Sequence, residues 1–205
     1  MICLGRVIAA LLLVAPAALA QDARLSARLD KPTLVAVTAL VDSARGAKLP
    51  TAPLVDKALE GAAKGSDGQK IVTAVRQLSH QMGSAKRVLG SNAGPDEIKA
   101  AATALAAGVS EHDLAVLRAA SGKRPLTMRL AVLTDLIGRD VPVATATSLV
   151  VQLARSGVRD QDLALFQRNV RADIDHGADP TAAATTRARG LVLRSGGPAG
   201  KPSAE

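Results

Sequence analysis

One cysteine, Cys3, one phenylalanine, Phe166, and no tryptophan or tyrosine make up the chain's whole stock of thiols and aromatic rings. A lone cysteine excludes an internal disulfide, so the fold must rest on burial. With Phe166 alone, and that expected in the core, there is no stacking platform for single-stranded nucleic acid, and no nucleic-acid partner is expected. The interior must be assembled from Ala, Leu, Val and a little Ile and Met. Ala is the strongest helix former, whereas sheets draw on aromatic and β-branched residues. The expected fold class is therefore all-α, with no β-sheet.

The usual signatures of catalysis are missing as well. The sequence contains no Gly-x-Ser-x-Gly elbow and no Ser-x-x-Lys pair for an activated serine. It has neither Gly-x-x-x-x-Gly-Lys-Ser/Thr nor Gly-x-Gly-x-x-Gly to cradle phosphate. The three histidines, His80, His112 and His176, never fall in His-x-x-x-His spacing. No catalytic residue and no cofactor are expected.

One acidic stretch, Asp173-Ile174-Asp175-His176-Gly177-Ala178-Asp179, resembles part of a calcium loop, and Asp173, Asp175 and Asp179 are its candidate metal ligands. Its glycine falls at the fifth position instead of the sixth, and Ala184 stands where a calcium loop closes with a bidentate Glu. Helix-end rules account for the same residues: Gly177 as a left-handed cap, then Asp179 as N-cap and Pro180 as first residue of the next helix. No metal is expected to bind.

What is present begins with an export signal. Arg6 is followed by Val7–Ala20 without a charge, Ala18-Leu19-Ala20 offers small residues to a signal peptidase, and Gln21-Asp22 turns polar. Residues 1–20 are expected to be a signal peptide cut between Ala20 and Gln21. The protein is then exported, periplasmic or extracellular, and keeps no transmembrane segment. The net charge of +8 is spread from Arg24 to Lys201 without a dense block, which allows weak contact with anionic lipid or envelope polymer.

Proline and glycine punctuate the remainder. Pro50, Pro95, Pro142 and Pro180 each open a helical segment, and Gly65, Gly108 and Gly157 each close one. Units of about 45 residues are read at 50–90, 95–138 and 142–177, each a helix, a glycine turn and a second helix. In the first unit Ile71, Val75, Leu78, Met82, Ala85 and Leu89 form one stripe, with Leu78 at its centre. The middle unit breaks at Ser121-Gly122-Lys123-Arg124-Pro125 before a further helix carrying Leu126, Leu130, Leu133 and Ile137. Leu163, Phe166, Val170 and Ile174 form the last stripe. The unit length resembles that of helical-hairpin solenoids, which implies a small right-handed or irregular α-solenoid-like bundle.

The expected organisation is a flexible mature N-terminus at 21–31, a single helical domain at 32–193 and a disordered tail at 194–205. The expected function is binding, as an exported scaffold or adaptor with an unknown protein partner and no enzymatic activity. Two alternatives stand beside it. One is a metal-dependent module or enzyme assembled from dispersed residues such as His80, His112, Asp173 and Asp175. The other is an electrostatic binder of anionic lipid or envelope polymer.

Overall fold

The computed structural model describes residues 23–195, so Ala20, Gln21 and most of the expected tail lie outside the described residues. A helical turn at 23–26 precedes α1 (Lys31–Gly46), α2 (Ala52–Ala63), α3 (Gly68–Leu89), α4 (Pro95–Ala106) and α5 (Glu111–Ser121). There follow α6 (Thr127–Ile137), α7 (Val143–Arg155), α8 (Asp160–Asp175) and α9 (Pro180–Ser195). The described residues contain no strand, and the protein is all-α. None of these helices is long and apolar enough to cross a membrane.

Prolines stand where their missing N–H is tolerated, at the first or second position of α1, α2 and α4 and at the start of α9. Six of the turns between helices share one design. Lys48, Gly65, Gly108, Asp140, Gly157 and Gly177 all have positive φ, between 56° and 96°. After each, the next residue's N–H reaches back five positions: Val109 to Ala104 O at 3.1 Å, Val141 to Leu136 O at 3.1 Å, Val158 to Leu153 O at 3.2 Å. This is the Schellman closure, which satisfies the carbonyls a helix end leaves free. The residue after the left-handed position is apolar and buried in three cases, Val109, Val141 and Val158, which folds the following helix back on its predecessor. Glycine marks only four of the six. Lys48 and Asp140 hold the same conformation with side chains, and aspartate tolerates it through local hydrogen bonding.

Strong packing joins only helices one or two apart in the chain. One row runs α1–α3–α5–α7–α9 and a second runs α4–α6–α8, and contacts such as α3 with α4 and α6 with α7 hold the rows together. A single continuous apolar cluster fills the space between them. Helix α3 has the most neighbours, α1, α2, α4 and α5; α6 meets α4, α7 and α8, and α7 meets α5, α6 and α9. The expected unit at 50–90 holds the pair α2–α3 and that at 142–177 the pair α7–α8, but 95–138 holds three helices, α4, α5 and α6. At the chain's beginning, the expected flexible stretch carries Leu25 only 1 % exposed in the core cluster.

A seam of arginines fastens the α5–α6 corner. Arg118 donates to Glu97 Oε1 at 3.0 Å and to the carbonyls of Gly122 and Arg124, while the same Glu97 oxygen accepts the Leu126 N–H at 2.9 Å. Arg124 donates to Ala154 O at the end of α7, at 3.1 Å. Arg129 is the largest fully buried side chain, donating to Pro125 O at 3.1 Å, Val158 O at 3.0 Å and Asp160 Oδ1 at 3.0 Å. Burial pushes the Arg129 guanidinium below its ordinary pKa and Asp160 opposes that shift, yet an arginine stays charged throughout the accessible pH range.

Candidate functional site

The acidic helix end comes first, because the sequence singles it out. Asp173 sits in the last turn of α8, where the helix dipole disfavours negative charge. Arg187 of α9 answers it with a two-pronged contact, Nε to Oδ2 and Nη2 to Oδ1, both 2.7 Å. That hydrogen-bonded fork holds the Asp173 carboxyl below the usual carboxylate range. Asp175 faces Arg139 at 3.8 Å. Asp179 caps α9, its carboxylate accepting the Ala182 N–H at 2.7 Å. Each acid is thus turned toward a different protein partner. His80 and His112 are exposed on α3 and in the first turn of α5, and His176 is exposed just past α8. Among the described residues no three His, Cys, Asp or Glu side chains converge as a metal-holding group.

The arrangement that does converge is a groove at the C-terminal end of the stack. Along α8, Asp162, Leu165, Phe166 and Asn169 follow the i, i+3, i+4, i+7 rule and share one face. Along α9, Arg187, Gly190, Leu191 and Arg194 do the same. The two stripes enclose an open cleft of about 400 Å³, running about two helical turns, or roughly 10 Å. Phe166, 3 % exposed, anchors its floor, and Leu165 stands 46 % exposed beside it. Sequence periodicity places Phe166 in the core stripe, as found. It misses Leu165, which the same helix turns outward to the groove.

The groove's charge is one-sided. Asp162 is occupied by Arg159, whose Nε lies 3.0 Å away, and Arg187 is occupied by Asp173. Arg194 has no ion-pair partner among the described residues. Gly190, like Gly83 of α3, is not held to glycine by packing. It lies inside α9, where glycine is less favourable than alanine, yet a Cβ built on it would meet nothing within 4 Å. Internal packing gives no reason for a glycine there. Gly61 of α2 is the opposite case, since its Cβ would stand 2.8 Å from Ile71 Cγ1. Gly190→Ala should accordingly raise stability by about 0.5–1 kcal/mol, read as a higher midpoint in thermal unfolding. A lowered midpoint would mean that α9 packs more tightly than described.

A second cleft lies between α5 and α7, lined by polar side chains that include Asp113, Ser148, Gln152 and Arg155. Thr147 is 7 % exposed there, and its buried hydroxyl has no hydrogen-bond partner among the described residues. This cleft has no apolar floor as large as Phe166 with Leu165.

Comparison with protein-family models, with curated proteins and with solved structures finds no significant match to this chain.

Proposed function

We propose that this is an exported helical-repeat protein, periplasmic or extracellular, that acts by binding a protein partner as a scaffold or adaptor. In this reading the two rows are a short α-solenoid. Each helix pair is too thin to bury its own faces, stacks on its neighbours, and leaves an extended surface for partners. The observation that carries the reading is the α8–α9 groove: an aromatic floor, an outward leucine, and a glycine that internal packing does not require. Interfaces are anchored by such buried apolar residues inside a polar rim.

The reading is tested by capturing partners from the native cell envelope with the wild type and with Leu165→Arg. Leu165 is half exposed, so the change should leave the fold intact while placing a charge across the groove floor. The expected result is a specific protein captured by the wild type and lost with the variant. Identical captures would contradict the groove as the binding face. Intact mass of the exported protein should begin at Gln21, and a mature species retaining Met1 would contradict export by cleavage.

A further inference from the structure

We infer that the α8–α9 groove takes an acidic amphipathic helix from a partner protein; this rests on the binding reading above. The shape of the cleft is set by its two walls. The α8 stripe Asp162, Leu165, Phe166, Asn169 faces the α9 stripe Arg187, Gly190, Leu191, Arg194 across it. Both stripes are helical in period and about two turns long, so the complementary ligand is an element of the same period. Its apolar residues at i, i+3, i+4 and i+7 would cover Leu165, Phe166 and Leu191.

Gly190 fits the same occupant. A bare backbone at mid-groove lets a second helix approach closely, which explains a glycine whose Cβ would meet no atom of this chain. Charge then selects the sign. Asp162 and Asp173 are already neutralised by Arg159 and Arg187, so Arg194 leaves the rim net positive. An Asp or Glu beside the partner's apolar stripe would pair with it, and a basic helix would be repelled. A second copy of this chain is the poorer occupant. The full chain carries a net charge of +8, or +7 once Arg6 leaves with the signal peptide, so two copies repel each other.

The test is a displayed library of amphipathic helical peptides with randomised charged positions, selected on the purified protein. The selected peptides are then measured against Gly190→Trp and Arg194→Glu. Both variants alter groove-facing positions, and circular dichroism verifies that each remains folded. The expected result is enrichment of peptides with the i, i+3, i+4, i+7 apolar pattern flanked by Asp or Glu. Their affinity should fall at least tenfold with Gly190→Trp and at least severalfold with Arg194→Glu. Peptides that depend on Gly190 but are basic or non-helical would overturn the acidic helix while leaving the groove a binding face. Peptides indifferent to Gly190→Trp, or no binders at all, would overturn both.

Discussion

Arg129→Ala should cost about 3–5 kcal/mol of stability, among the largest losses available from a single side chain in this protein. Two effects add. Removing the largest buried side chain opens a cavity between α6 and α8, and the carbonyls of Pro125 and Val158 lose their donor in a site that water cannot easily reach. A smaller effect opposes them, because burying a guanidinium carries a desolvation cost that alanine does not. The partner Asp160 is 52 % exposed and stays solvated on its own, so the ion pair itself contributes little to the total. Arg129→Met separates the effects. It keeps most of the volume and removes the charge, so it should cost clearly less than alanine. Denaturant unfolding followed by far-ultraviolet circular dichroism reads both variants, since the chain lacks tryptophan and tyrosine. A loss below about 1 kcal/mol for Arg129→Ala would show that the seam does not hold the α5–α6 corner.

Met82→Ala should cost about 2–5 kcal/mol, and Leu78→Ala distinctly less. Both residues belong to the stripe read from α3, yet Met82 is fully buried and Leu78 is only partly buried against the core. The buried residues are Ile71, Val72, Val75, Met82, Ser84 and Ala85, so the buried face shifts around the helix along its length. A helix that must contact α1, α2, α4 and α5 along 22 residues cannot present one straight stripe to all of them. Equal losses for the two variants, or a larger one for Leu78→Ala, would place the α3 face differently.

Local rules made much of the architecture legible. Ala-rich composition and the helical spacing of Leu, Val and Ile were enough for the all-α class, and glycine marked four of the six left-handed turns. Lys48 and Asp140 were invisible because no glycine announces them, although the apolar residue after each follows the same pattern. The third helix of 95–138 was legible too, from Leu126, Leu130, Leu133 and Ile137 after the Ser121–Pro125 break, and it stands at Thr127–Ile137. Arg129 was legible only in part. It lies three residues after Leu126 and four before Leu133, a charge on an apolar face, but two of its three acceptors, Val158 O and Asp160 Oδ1, lie 29 and 31 residues later. The end groove was hidden for a similar reason, since Gly190 and Leu165 acquire meaning only when α8 and α9 lie side by side.

The most direct measurement is in-cell photo-crosslinking with a light-activated residue in place of Leu165, compared with the same residue at Arg76. Arg76 is exposed on α3 and lines none of the clefts described above. If the α8–α9 groove is the binding face, position 165 should yield a discrete adduct with another protein and position 76 should not. No adduct at 165, or the same adducts at both positions, would contradict the account.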